Sequence, residues 1–389
     1  MGLDYIRKPS PYVQQELFSS EDFSYFSLDY PLFFGTLIKW QFNENLFYLV
    51  SEDFSYLIVS GYGVKLSKKS ERLIIKDSNK AIYELPFFRL QTVAIMSRGV
   101  GLSSDLIEEF SKAGVNLSFH EFSGKPYALL QGMSAPQKVE LKKIQINAQK
   151  SVVGLSFAAS VVCGKISNQS SLLKYAVKNL KPDTELNLLK IQTVKNTCAI
   201  MQKILHDLET DVTLQQIMGY EGTSARLYWQ AVGQILSEKI EFGARLNKGK
   251  IPRDCVNPLL NYGYGILYAK IWSAITLAGL DAYIGFLHSD QQGKPSLVFD
   301  LIEEFRAPIV DRTVIAYIML NRNITITNGL IDLETRRKFS EKIIDRLSSA
   351  EYYEGQKIMI SDIILSQARK IVGFLEGRYK QYDPFIFKW

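Results

Sequence analysis

The sequence predicts an α+β protein: a small N-terminal β-sandwich-like domain, then a larger all-α domain, with an extra aromatic extension ahead of both. Three observations carry this. Between Leu46 and Leu130, short runs rich in β-branched and aromatic residues alternate with turn signals. Near Ser134-Ala135-Pro136 the period changes, and apolar residues then recur at helical spacing to the C-terminus. The first 55 residues hold eight acids and three bases, a net of −5 in a chain of net +6, and 14 of the 47 aromatics. The boundaries expected from these shifts are 1–55 for the extension, 56–135 for the β domain and 136–389 for the helical domain.

The extension, with clusters such as Tyr30, Phe33, Phe34 and Trp40, is too aromatic for a floppy tail and is expected to pack on the β domain. The strands expected next are Phe47–Val50, Tyr56–Val59, Val64–Ser67 and Arg72–Ile75, separated by Ser60-Gly61, the 68–71 charge run and Asp77-Ser78-Asn79. One helix interrupts them: Ser103-Ser104 can cap Asp105–Ala113, and Gly114 suits the stop. A strand over Val115–Phe119 and a turn at Ser123-Gly124 follow. A helical stretch begins at Val139 and runs past Leu155, and further helices are expected at 172–179, 184–207, 222–238, 258–280, 297–304, 337–348 and 361–379. The apolar run Ile266–Leu287 carries Lys270 and Asp281 and reads as a buried helix, not a membrane span.

Several function classes are excluded. Three cysteines without CxxC spacing give neither a disulfide framework nor a structural zinc site, and a reduced, cytoplasmic setting is expected. The N-terminus lacks the apolar core of a signal peptide. Neither GxGxxG nor GxxxxGK[ST] occurs, so no nucleotide-phosphate cradle is indicated. Outside the extension the chain carries +11, an excess that favours polyanions such as nucleic acid.

Three places carry candidate chemistry. Glu221, in Gly219-Tyr-Glu-Gly-Thr-Ser-Ala-Arg-Leu-Tyr-Trp229, falls near the expected start of a helix, where the dipole favours a carboxylate. His288 follows the long apolar run, and His120 and His206 read as structural. Asp300, Glu303 and Glu304 share one helical face, as a solvated acidic surface or as carboxylates whose repulsion a cation offsets, with Arg306 nearby. Together the acids and the imidazole form a mixed oxygen and nitrogen set that suits Mg²⁺ or Mn²⁺ better than structural zinc. On a basic domain such a set implies phosphodiester chemistry.

At these residues the sequence resembles the CRISPR-associated spacer-acquisition integrases, the Cas-one family. The matching pieces are Glu221-Gly-Thr-Ser-Ala-Arg-Leu-Tyr-Trp229, Asn257-Pro-Leu-Leu-Asn-Tyr-Gly-Tyr264, His288, Ser296-Leu-Val-Phe-Asp-Leu-Ile-Glu-Glu-Phe-Arg306 and Tyr382-Asp-Pro-Phe-Ile-Phe-Lys-Trp389. The resemblance covers residue 56 to the end and leaves the extension without a counterpart. It implies a metal-dependent DNA endonuclease and integrase that inserts short fragments into a CRISPR array by transesterification. It implies Glu221, His288 and Glu303 as catalytic metal ligands for Mg²⁺ or Mn²⁺, with Asp300 and Arg306 supporting them. Double-stranded and branched DNA, a homodimer formed through the β domain and a small bridging Cas-two partner are the implied company. Tyr228, Trp229, Tyr262 and Tyr264 are candidates for stacking on frayed bases, with core packing the stronger reading for Trp229 and Tyr262. A non-catalytic DNA-binding scaffold of the same fold is the alternative, and an unrelated helical regulator a more distant one.

Overall fold

The alternating runs build two sheets that share a core. A computed structural model describes residues 38–388, apart from 44–45, 51–55, 78–79, 131, 133–138, 210–211, 247–250, 289–292 and 321–323. The N-terminal elements are β1 (Ile38–Asn43), β2 (Leu46–Val50), β3 (Tyr56–Gly61), β4 (Val64–Lys69), β5 (Arg72–Asp77), β6 (Lys80–Pro86), β7 (Thr92–Ile95), β8 (Gly101–Leu102), α1 (Ser104–Ala113), β9 (Asn116–His120) and β10 (Pro126–Leu130). One sheet has the order β1-β2-β3-β7-β9-β10 and the other β6-β5-β4-β8. The pairs β3–β7, β7–β9 and β4–β8 are parallel, so this is a sandwich with crossovers rather than a simple meander. Ser103 caps α1 by accepting from Leu106 N, and Gly114 ends it at φ 68°, as the sequence signals required.

The larger sheet is buried on both faces at its centre. Leu57, Val59, Val93 and Ile95 face the smaller sheet and α1, while Tyr56, Ile58, Ala94 and Met96 join the helical core. Parallel central strands covered on both sides read as continuous apolar runs. Residues 38–50, which charge and aromatic content placed in the extension, supply strands of this same sheet outside the undescribed positions 44–45. Composition marks a surface character, whereas pairing depends on backbone register, and β2 buries Tyr48 in the core that holds Leu57 and Val59. The rest of the proposed packed extension, residues 1–37 and 51–55, lies outside the described residues.

The change from strand to helix falls between Leu130 and Val139. The helical part comprises α2 (Val139–Ala148), α3 (Val152–Val177), α4 (Glu185–Asp207), α5 (Leu214–Leu236), α6 (Val256–Leu277), α7 (Ser296–Phe305), α8 (Arg312–Leu320), α9 (Leu333–Ser348) and α10 (Ile360–Leu375). Small hairpins β11–β12 (Ile326–Thr327, Leu330–Ile331) and β13–β14 (Ala350–Tyr353, Gln356–Met359) flank α9. Their turns, Asn328-Gly329 and Glu354-Gly355, have positive φ at both residues. The helical stretch from Val139 is two helices meeting at 82°. The apolar run from Ile266 is helical only to Leu277. Among the described residues no single helix is long and apolar enough to cross a membrane.

Helix α6 joins the two parts. Tyr56 donates its hydroxyl to Ile266 O at 3.0 Å, and Asn116 Nδ2 donates to Ser273 Oγ at 3.0 Å. The turn before β10 approaches so closely that a Cβ on Gly265 would lie 2.0 Å from Gly124 O. Gly265→Ala is therefore expected to cost about 1–3 kcal/mol through overpacking. An unchanged melting temperature would contradict that close approach.

Candidate active site

Helix α3 packs against both α5 and α7, and each contributes one charged group to a common point. Lys165 projects from α3 between fully buried Val161, Val162 and Ile166. Its ammonium donates to Glu221 Oε1 on α5 and stands 2.7 Å from Glu303 Oε2 on α7. Arg306 Nε lies 3.0 Å from the other oxygen, Glu303 Oε1. Burial alone would raise the Glu303 carboxyl, but Arg306 and Lys165 hold it down at about 2. Burial likewise pulls the Lys165 ammonium down, yet Glu303 and Glu221 outweigh it and keep its pKa above the usual value.

Arg306 begins a π-helical turn, Arg306–Asp311, that links α7 to α8. Pro308 within it has no N–H to donate, and the helix widens there. The turn carries Asp311 under Tyr264 and Tyr228, whose hydroxyls donate to Asp311 Oδ1 and Oδ2. The Arg306 guanidinium lies 4.4 Å from the Tyr264 ring centroid, so the π turn, the two tyrosines and Glu303 form one buried network.

The imidazole has a separate support. Asp300 is fully buried and accepts from three consecutive backbone N–H groups: Phe286 (2.6 Å), Leu287 (3.1 Å) and His288 (3.0 Å). Its Oδ1 also takes His288 Nδ1 at 2.7 Å. The carboxylate fixes the tautomer with the proton on Nδ1 and leaves the Nε2 lone pair as the donor. The His288 side chain is 40% exposed. Burial lowers the His288 pKa, but the Asp300 hydrogen bond and the acids around it prevail, and the net shift is upward. The 286–288 segment sits close enough to Asp300 because Gly285 has no side chain: a Cβ there would be 2.6 Å from Ser296 Cβ.

Asp300, Glu303 and Glu304 do not form a solvated face, because α7 is buried all round. Each carboxylate serves a different neighbour. Glu304 accepts from Tyr382 OH, Phe385 N and Gln367 Nε2, and so ties the C-terminal segment to α7. Burial outweighs these donors and pushes the Glu304 carboxyl up to about 7, against 4.5 for an ordinary glutamate. A raised carboxyl stabilises the fold below its unfolded value, and that contribution is lost as pH climbs from 4.5 through about 7. The melting-temperature gap between wild type and Glu304→Gln is thus expected to be wider at pH 5 than at pH 8. A gap independent of pH would refute this.

Other expectations change as well. Glu221 is not at a helix start: Thr213 and Gln216 form a capping box, α5 begins at Leu214, and Gly219 and Gly222 lie inside it. The dipole argument for Glu221 therefore lapses, and Lys165 takes its place as the compensating charge. Tyr228, Tyr262 and Tyr264 are buried with hydroxyls bonded inside the protein, and are not available to bases. Trp229 packs edge-on to Tyr228 and Phe242. His120 is buried between Gly124 O and Ser118 Oγ, and its pKa falls to about 4 through desolvation. Lys165 went unnoticed in the sequence, as did Tyr264 and Asp311 as partners of Arg306. The only signal for Lys165 was a lysine set within the mostly apolar stretch Phe157–Ile166.

Among the described residues no three His, Cys, Asp or Glu side chains close directly on one point. The donor set nevertheless suits a divalent cation. Two carboxylates already share a cation, the Lys165 ammonium, and His288 Nε2 adds a borderline nitrogen donor.

The family model described as "CRISPR associated protein Cas1" matches residues 57–343. The chain is 33% identical over 336 residues to the CRISPR-associated endonuclease Cas1 1 of Francisella tularensis subsp. novicida, covering 86% of this chain and 99% of that protein. Its fold resembles a casposase bound to integration product, with TM-score 0.72, 22% identity, and coverage of 86% of this chain and 94% of that one. It also resembles a chain of a Cas6-RT-Cas1–Cas2 complex, with TM-score 0.70 and 18% identity, covering 86% of this chain and 36% of that one. Sequence match and fold agree, and the chain belongs to the CRISPR-associated Cas1 family.

Proposed function

We propose that this protein joins the 3′-hydroxyl of a short DNA fragment to a phosphodiester of a CRISPR array, using Glu221, His288 and Glu303 as the ligands of one Mg²⁺ or Mn²⁺. The observation that carries this reading is the pair of carboxylates from α5 and α7 meeting on a single cation, with an oriented imidazole beside them. Membership of a family whose curated relatives are endonucleases, and likeness in fold to an integrating casposase, support it. When bound, the ion would polarise the scissile phosphate and neutralise charge on the leaving oxygen.

The chain's own residues supply the rest. Arg306 engages Glu303 Oε1 and turns Oε2 toward the site. Asp311 holds the hydroxyls of Tyr228 and Tyr264, and the Tyr264 ring packs against the Arg306 guanidinium. Asp300 holds the His288 ring by Nδ1 and leaves Nε2 as its donor nitrogen. The reaction forms one P–O bond to the fragment's 3′-oxygen and breaks one in the array strand, exchanging one phosphodiester for another. No nucleotide cofactor is required, in keeping with the missing phosphate loop. The basic body would track the DNA backbone, as a homodimer bridged by a Cas2-type partner.

The test is joining of a labelled fragment to a repeat-bearing plasmid in Mn²⁺. His288→Ala and Glu221→Ala are each expected to abolish joining while DNA binding persists. Binding should fall with salt at a log–log slope of about −0.9 per neutralised phosphate. Near-normal joining by both variants would leave a DNA-binding scaffold as the better description.

A further inference from the structure

The charges around Lys165 do not allow a metal ion simply to be added. Glu221 and Glu303 contribute two negative charges, and Lys165 and Arg306 two positive ones, so these four part-buried groups balance as they stand. A divalent ion placed beside an unmoved ammonium would leave a net of +2 at a poorly solvated point. The ammonium would compete with the ion for the same two carboxylates: it is bonded to Glu221 Oε1 and lies 2.7 Å from Glu303 Oε2. Arg306 uses the opposite oxygen of Glu303 and does not compete.

We infer that Lys165 is the site's own counter-ion, occupying the position between Glu221 and Glu303 and exchanging for the divalent ion when the site is loaded. The inference rests on the reading above that these two glutamates are ligands. Without the ammonium, two carboxylates facing each other from α5 and α7 would share only Arg306 on Glu303 as compensation, in a setting where Glu303 is almost wholly buried. The ammonium removes that penalty and keeps the pair aligned. It is also the cation best suited to leave, being a point charge on a flexible four-carbon stem rather than a planar fork locked to one carboxylate. Lys165 thus trades metal affinity for a stable, ready-formed site.

Two measurements on the full chain, stripped of metal with a chelator, test this. Lys165→Met is expected to melt below wild type without metal and to bind Mn²⁺ at least about tenfold more tightly by electron paramagnetic resonance titration, because a competing charge is gone. Its melting temperature should also rise more on adding Mn²⁺. In the wild type, acetylation of Lys165 followed by mass spectrometry should be slow without metal and should rise with Mn²⁺ as the side chain is displaced. The second readout stands even if the variant does not fold. A variant that binds Mn²⁺ no more tightly than wild type, or Lys165 labelling unaffected by Mn²⁺, overturns the counter-ion role while leaving the ligands in place. Wild type with no Mn²⁺ binding that His288→Ala removes overturns the metal reading itself, and the exchange with it.

Discussion

Glu303→Ala is expected to abolish strand joining, by about a thousandfold or more, and to destabilise the protein in the same stroke. The first effect is the loss of a proposed ligand, and several kcal/mol of charge stabilisation in the transition state goes with it. The second follows from what Glu303 now compensates. It is almost wholly buried and pairs with both Lys165 and Arg306, so its removal leaves two cations with Glu221 as the one remaining carboxylate of the set. Breaking a buried pair in this way costs about 3–5 kcal/mol. The consequence for stability should depend on the substitution in a way that activity does not. Glu303→Gln keeps an acceptor for Lys165 and should melt between wild type and Glu303→Ala, with joining still lost. Substantial joining by Glu303→Gln would show that the carboxylate charge is not needed, and the assignment of Glu303 would fall.

Asp300→Ala should be the most destabilising change at the site. Three backbone N–H groups and the His288 ring nitrogen all end on this carboxylate. Each buried donor left unpaired costs about 1–3 kcal/mol, so a loss of roughly 4 kcal/mol or more is expected even if the effects do not add. Asp300→Asn keeps the shape but swaps one acceptor oxygen for an amide donor. That variant should fold, hold the imidazole poorly and lose about 10–100-fold in metal affinity, the usual effect of removing a group that orients a ligand. The two variants separate support of the 286–288 segment from orientation of the ring. Wild-type stability in Asp300→Ala would show that water or a rearranged loop satisfies those donors.

Much of the architecture could be read from residue order. The caps of α1 and the strands β3 to β5 follow from local pattern, because period and capping depend on residues a few positions apart. The family motifs likewise pointed to Glu221, His288 and Glu303. Where the reading failed, the decisive contact was distant. The apolar side beyond Glu221 suggested a helix start near it, but a capping box at Thr213, about two turns upstream, starts α5 earlier and carries it through Gly219 and Gly222. The acids at 300, 303 and 304 fit either a solvated stripe or a cation-offset set, because spacing fixes a face but not what covers it. Burial of α7 on every side sends one to a backbone loop, one to Lys165 and Arg306, and one to the C-terminal segment.

The sequence by itself determined the fold class and the family and singled out the candidate site residues, since these depend on periodicity and on motifs that survive in order along the chain. Only the tertiary structure decided how the charges balance. Lys165 and Glu221 are 56 residues apart, and Tyr228 and Asp311 are 83 apart. No local pattern links such pairs. They meet because α3, α5 and α7 pack together to bury apolar surface, and groups brought into that interior must find partners or pay the full cost of desolvation.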